Sequence, residues 1–598
     1  MNSRRWALPV LAGFALFTGA YAQDAASLMN DGTQWVMPSK NYAQTRFSTL
    51  NQINAGNAAH LGVAWEFSVG SDHGQEAAPI VIGDTMYVVG AYPNELFALD
   101  ATTGDLKWKY SPRVDPASQG VACCDTVNRG AAYDNGRIFF NTLDNHTVAL
   151  DAKTGKEIWA VQLGEITKGQ TLTMAPLVAR GKVYVGNSGG EMGVRGWVTA
   201  LDENTGKIVW RGYNVGPDKD VLIGPKFHPF YASAKGKDLG TNTWPPGRWQ
   251  VGGATAWGWI SYDPQTNLIF YGSGSPAPWN SNQRQGDNKW SAAIFARDAD
   301  SGEVMWADQL DPHDLYNYGE TNENLLLDLS IDGKMKHVLV HPGNDGFLFV
   351  IDRQTGQIYS ADKYDTQTSM ISFDVKTGRP AMNDALKPLP GKNISGICPG
   401  IAGAKSWQPT AYSPVTKLLY IPHQHLCMDF KTADTGYIAG TPYIGATVDM
   451  YAGPGHYRGE FAAWDLARHK KVWAIRESFP VTAGTMVTAG NIAVYGTMDR
   501  WFKVVDARTG KLLYRFHAPS GFVGQPITYQ GKDGDQYIAM LSGVGGLAGA
   551  VANSAVDPRV RNGAFGYAGA MGDLPAVTSG GSTLLVFALP TKGNANGR

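Results

Sequence analysis

Short apolar runs alternate with polar positions along most of the chain, as at 85–89, 182–186 and 491–496. A period of two predicts half-buried β-strands. The gaps between runs are rich in Asp, Thr and Gly, which favour tight turns. A repeat organises the pattern: Ala-x-Asp, then Thr-Gly three and four residues after the Asp, then Trp eight residues after it. It occurs as Asp100-Thr103-Gly104-Trp108, Asp151-Thr154-Gly155-Trp159, Asp202-Thr205-Gly206-Trp210 and Asp298-Ser301-Gly302-Trp306. Asp352-Thr355-Gly356 has Ser360 at the Trp position, Asp465-Trp473 lacks Thr-Gly, and Asp506-Thr509-Gly510 ends on Tyr514. Each copy predicts a hairpin whose return strand sets its Trp between neighbouring sheets.

The termini supply an eighth copy. Val586-Phe587-Ala588-Leu589 matches the Ala-x strand, and Val63-Ala64-Trp65-Glu66 matches the Trp strand. A sheet stitched from both ends closes a ring and removes open edges. The pattern therefore predicts an all-β, eight-bladed β-propeller with tryptophan-docking repeats, closed by a blade shared between the N- and C-termini. A β-solenoid or tandem sandwiches would give the termini no reason to complete the motif. The copies are evenly spaced at first, but two intervals roughly double, and their insertions contain 227–249 and 364–425. Long loops on a rigid scaffold commonly cover a site.

Composition adds little to this picture and excludes some functions. The 72 glycines and 18 tryptophans suit many turns and strands, and a net charge of −1 gives no footing for nucleic acid or an anionic membrane. Arg4 and Arg5, the apolar stretch 6–17 and Ala20-Tyr21-Ala22 form a secretory leader, 1–22, leaving 23–598 as one domain. No later segment is long and apolar enough for a membrane span. A leader places the chain in an oxidising space, the periplasm of a bacterium, where paired cysteines become disulfides. Four cysteines allow three connectivities, and the spacing favours Cys123–Cys124 with Cys398–Cys427. His423-Gln424-His425-Leu426-Cys427 has metal-like spacing, but a disulfide-bonded Cys427 has no thiolate to offer.

The Trp repeat together with Gly-Val-Ala-Cys-Cys-Asp-Thr-Val-Asn-Arg-Gly, from Gly120 to Gly130, resembles the pyrroloquinoline quinone (PQQ) alcohol dehydrogenases, the methanol/ethanol dehydrogenase family. The resemblance covers essentially the whole mature chain. It implies PQQ on the propeller axis, between the vicinal disulfide and an indole, with a cation bridging quinone and protein. Residue by residue it assigns Glu76, Cys123, Cys124, Arg129, Thr173, Ser188, Gly189, Gly190, Thr255 and Trp257 to the cofactor, and Glu191 to the metal. It implies oxidation of a small-molecule alcohol by hydride transfer, with Ca²⁺ favoured over a lanthanide. No Cys-x-x-Cys-His run occurs, so electrons leave to an external acceptor such as a soluble cytochrome c. Oligomeric state stays open, a homodimer included.

The chain departs from the family where the chemistry is hardest. Ser275 takes the place of the metal-binding Asn in Gly-x-Gly-Asn-Pro, and Asn317 that of the base in Pro-His-Asp-x-x-Asp. Gly319 stands where lanthanide enzymes add an Asp, and Asn344 replaces the Arg of His-Pro-Asp-Arg-Asn-Gly. Ser406 replaces a cofactor-contacting Asn, and Thr482 a Trp; with Leu547 this hints at a roomier pocket for a bulky or secondary alcohol. Asn317 can bind a metal but cannot accept a proton. The base is then another carboxylate, with Asp314, Glu320 and Asp345 nearest in sequence, or Asn317 merely orients the alcohol. A PQQ-binding protein without dehydrogenase activity, or a propeller scaffold, is the alternative.

Overall fold

The computed structural model describes residues 23–557 and 559–590, so the expected leader at 1–22 lies outside the described residues. The architecture is all-β: seven four-stranded sheets and one five-stranded sheet, with two small accessory sheets. The first four-stranded sheet is Ile80–Ile82, Thr85–Val89, Leu96–Asp100 and Leu106–Tyr110, paired antiparallel in chain order. Third strands such as Trp197–Asp202 are buried almost throughout, while fourth strands such as Glu157–Gln162 alternate towards solvent. The five-stranded sheet adds Phe47–Ser48 parallel to Met486–Thr488. Among the described residues no helix is long and apolar enough to cross a membrane.

The Asp-Thr-Gly repeat is a turn with a fixed hydrogen-bond pattern. Asp202 Oδ1 accepts from Asn204 N (3.1 Å), Thr205 N (2.9 Å) and Thr205 Oγ1 (2.8 Å). Gly206 N donates to Asp202 O at 2.9 Å, with φ at +69°, where a glycine escapes steric cost. The absent side chain makes room for the preceding sheet: a Cβ on Gly206 would sit 2.8 Å from the Trp159 ring. Trp159 Nε1 then donates to Glu203 O at 3.0 Å. The same seat forms for Trp108 on Gly155, Trp210 on Gly302, Trp306 on Gly356 and Trp473 on Gly510. Sheets therefore dock in sequence order, each indole filling the hollow of the next turn.

The two chain ends share one sheet. Gly62–Ser68 pairs antiparallel with Thr583–Ala588, Gly62 opposite Ala588 and Ser68 opposite Thr583. Gln536–Ser542 and Ile527–Gln530 complete that sheet, and Trp65 on its outer strand abuts Gly104. The insertion 364–425 forms the pair Met370–Asp374 with Arg379–Met382, and supplies Asn393–Ile397 to a three-stranded sheet with Leu426–Thr432 and Ala446–Ala452. The Cys398–Cys427 disulfide is formed and clamps two neighbouring strands of that sheet.

Candidate active site

One cavity of about 180 Å³ gathers residues from loops and short helices between the strands, spread along the chain from Glu76 to Tyr567. Arg129 is its hub. Its Nη2 lies 2.9 Å from Glu76 Oε2, and its Nη1 donates to Thr173 Oγ1 at 2.9 Å. The guanidinium carbon sits 5.0 Å from the Trp257 ring centroid and 5.1 Å from that of Trp407. Thr173 Oγ1 reaches Ser188 Oγ at 2.8 Å, and Gly189, Gly190 and Thr255 continue the wall. A Cβ on Gly189 would stand 2.2 Å from Gly169 O, so that wall depends on glycine. Burial pushes the Glu76 carboxyl up to about 7, against the pull of Arg129. Burial likewise raises Asp125, which also lines the cavity.

Cys123 and Cys124 line the same cavity, but here they are thiols, not the expected disulfide. Their sulfurs are 2.7 Å apart, against about 2.05 Å for a bond between them. Cys123 Sγ is also 3.4 Å from Glu191 Oε2. The hydrogen bond with Cys124, burial and the Glu191 carboxylate all push the Cys123 thiol well above its ordinary range.

The 311–321 segment places its acids differently from expectation. Asn317 and Gly319 line the cavity, as do Ser275, Asn344 and Ser406. Asp314 does not: its carboxylate accepts the backbone N–H groups of Tyr316 (3.0 Å), Tyr318 (3.1 Å) and Gly319 (3.2 Å). It shapes the loop that presents Asn317. Asp345 is fully buried behind the wall, its Oδ1 accepting Phe347 N–H at 2.8 Å, and it too fails to reach the cavity. The carboxylates that do line it are Glu76, Asp125 and Glu191. Asn344 donates through Nδ2 to Tyr318 O, tying the former arginine position to the same loop.

Sequence reasoning missed Trp407, Trp279, Phe565 and Tyr567, all cavity residues. Trp407 directly follows Ser406, so the signal was one position away. Phe565 and Tyr567 belong to a Gly- and Ala-rich segment without repeat or motif, and nothing marked them. The insertion 364–425 contributes Ile401, Ala402, Ser406, Trp407, Gln408 and Gln424 to the lining, whereas 227–249 contributes none. His425 uses both nitrogens, at 2.6 Å from Asp365 Oδ1 and 2.9 Å from Pro454 O, and Cys427 is disulfide-bonded.

Residues 35–362 and 446–538 match the family described as glucose/ethanol/alcohol dehydrogenase, β-propeller domain (PQQ). This chain is a PQQ-dependent alcohol dehydrogenase. It is 46% identical to the lanthanide-dependent methanol dehydrogenase of Methylacidiphilum fumariolicum (strain SolV), over 97% of each chain. It is 41% identical to methanol dehydrogenase [cytochrome c] subunit 1 of Methylorubrum extorquens, over 98% of this chain and 96% of that one. The solved structure of a europium-containing methanol dehydrogenase superposes with a TM-score of 0.93 at 46% identity, covering 94% of this chain and 99% of that one.

The dehydrogenase cavity fits an anionic planar quinone. Two donors that line it, Arg129 Nε and Thr482 Oγ1, are buried without a hydrogen-bond partner among the described residues. Flat apolar area is supplied by Trp257 and Trp407. Glu191, Ser275 and Asn317 offer only oxygen donors of hard-cation type, with a single negative charge between them. The expected preference for calcium has no support: relatives over almost the whole chain include a lanthanide-dependent methanol dehydrogenase, and oxygen donors suit both ions. The extra acid of lanthanide enzymes has no room at Gly319. Its φ is +54°, and a Cβ there would stand 2.7 Å from Ser275 N and 2.8 Å from Ser275 Oγ.

Proposed function

We propose that this enzyme oxidises a bulky or secondary alcohol to the carbonyl compound in the periplasm and passes electrons to a soluble cytochrome c. The observation that carries this reading is the Arg129 hub. One guanidinium meets Glu76, Thr173 and two indoles, in a cavity that also holds Cys123, Cys124 and Glu191. Bound PQQ would supply the hydride acceptor. Arg129 would hold its anionic edge through a charge-assisted hydrogen bond, Thr173, Ser188 and Thr255 would add hydroxyl contacts, and Trp257 would offer a flat face. Glu191, Ser275 and Asn317 would hold a cation, which supplies Lewis acidity. Asn317 orients the alcohol hydroxyl through its amide, and the hydroxyl proton falls to a carboxylate lining the cavity, Glu76, Asp125 or Glu191.

Several finer readings accompany it. The eight large sheets are the blades of one ring that the Gly62–Ser68 pairing with Thr583–Ala588 closes. Cys123 and Cys124 close to a disulfide in the oxidised protein; the leader and the Cys398–Cys427 bond both favour an oxidising compartment. Thr482 and Leu547 line the cavity where a roomier pocket is called for.

One observation favours the non-oxidising alternative: neither Asp314 nor Asp345 faces the cavity. The deciding experiment mixes purified protein with PQQ and either CaCl₂ or LaCl₃, desalts it, and records the quinone band. Dye reduction is then followed over primary, secondary and cyclic alcohols. Retained quinone with turnover of a branched or cyclic alcohol supports the proposal. Retained quinone with no turnover under either metal selects the binding protein, and no retained quinone removes the cofactor assignment.

A further inference from the structure

A second set of acids converges behind the cavity wall. Glu320 lies between the lining residues Gly319 and Thr321, and Asp345 follows the lining residue Asn344, yet neither reaches the cavity. Asp311 joins them, and one carboxylate oxygen from each of the three lies within 4.8 Å of the other two. Asp311 is 1% exposed, and Glu320 and Asp345 are 0% exposed.

Most of these oxygens have nothing to bind. Asp311 Oδ1 and Oδ2, Glu320 Oε1 and Asp345 Oδ2 accept no hydrogen bond from any described residue. Glu320 Oε2 is 2.8 Å from His341 Nε2, and Asp345 Oδ1 takes the Phe347 N–H. Asp311 is the strongest pointer, a whole carboxyl group buried with no donor beside it except a proton shared with Glu320. No lysine or arginine among the described residues forms an ion pair with any of the three, and nearby Lys405 is paired with Glu323 at 2.5 Å.

Buried carboxyls of this kind are satisfied either by protons shared among them or by a cation. Oxygens that share one ion at 2.3–2.6 Å lie within about 5 Å of one another, and this cluster meets that limit. An all-carboxylate set also selects a hard ion. We propose that Asp311, Glu320 and Asp345 hold a second hard cation, of the calcium or lanthanide class, separate from the cofactor's metal and independent of PQQ. Three carboxylates balance a trivalent ion outright, whereas with a divalent ion one negative charge is left for a proton. The bound ion ties the loop carrying Asn317 to the turn carrying Asn344, both of which line the cavity.

The test uses the full-length mature chain without PQQ, stripped with a chelator and then titrated with Tb³⁺, Ca²⁺ or La³⁺. Retained metal is counted after desalting, and Tb³⁺ emission is excited through the protein's aromatic residues. The expected result is one equivalent of ion retained by the Glu191→Gln variant, whose cofactor-side ligand is gone. Glu320→Gln and Asp345→Asn, each combined with Glu191→Gln, should lower that uptake at least ~10-fold, since affinity follows ligand charge. Circular dichroism checks that they remain folded. La³⁺ held more tightly than Ca²⁺ identifies the trivalent ion as the better fit, and the reverse order identifies calcium. No retained ion in Glu191→Gln, or unchanged uptake after the further substitutions, overturns the site in favour of shared protons. Should both further variants misfold, the count in Glu191→Gln decides: one equivalent upholds the site and none overturns it.

Discussion

Arg129 and Glu76 form an ion pair whose charge state is set by burial. Burial raises Glu76 from an ordinary 4.5 to about 7, so between those values the folded chain keeps a proton that the unfolded chain has released. Glu76 thus favours folding most at low pH, and the contribution is lost as pH rises through about 7. Glu76→Gln should flatten that part of the stability profile in urea melts recorded from pH 4 to 8. The ionised carboxylate also competes with an anionic cofactor for Arg129. PQQ affinity, followed by quenching of tryptophan fluorescence, should weaken above pH 7 in the wild type and stay level in Glu76→Gln. Asn317 tests the missing base. Its φ of +63° lies in the left-handed region that Asp tolerates, so Asn317→Asp should fold normally. It should raise alcohol-dependent dye reduction by about 10²-fold, the lower end for a positioned base. Gly319→Asp should not restore a lanthanide ligand. Its Cβ would press on Ser275 backbone and side chain at positive φ, and the variant should lose about 1–3 kcal/mol in denaturant melts.

The repeating turn is the element on which the scaffold depends. In Gly206→Ala the new methyl meets the Trp159 ring at 2.8 Å while φ stays at +69°, so two costs act together. A loss of about 2–3 kcal/mol is expected by thermal or urea melting. The same substitution at Gly534, where φ is +84° but nothing lies within 4 Å, should cost less. This turn was legible in the sequence because one local pattern serves two neighbours. The Asp and Thr fix the hairpin, the Gly leaves the hollow, and the Trp eight residues on fills the next one. The acids near the site were not legible. Asp314 is spent on three backbone amides and Asp345 turns away, and residue type with spacing carries no information about the face on which a loop side chain emerges. The lining contributed by Phe565 and Tyr567 was silent for another reason: it comes from a stretch with no repeat to set its register.

At the scale of the whole molecule, two small accessory sheets supplement the repeating ones. Cys398–Cys427 closes a loop of 29 residues beside one of them. Chain-entropy arguments give such a loop about 3.5 kcal/mol of stabilisation. Replacing both cysteines by Ser should lower the melting temperature and loosen the edge of the cavity formed by Ile401, Ala402 and Trp407, seen as faster hydrogen exchange there.

The pairing of Gly62–Ser68 with Thr583–Ala588 also sets the order in which this chain can be assembled. The outer strand emerges among the first residues to be synthesised, but its partner is among the last. Trp65 can seat against Gly104 early, while the backbone of its strand stays unsatisfied until almost the entire polypeptide exists. A contact of such sequence separation is slow to form. The waiting strand is an open edge exposed to other chains in the same state. Yield on expression or refolding should therefore depend on how long that edge is left unpaired, and crowding at this step should favour aggregates over completed sheets.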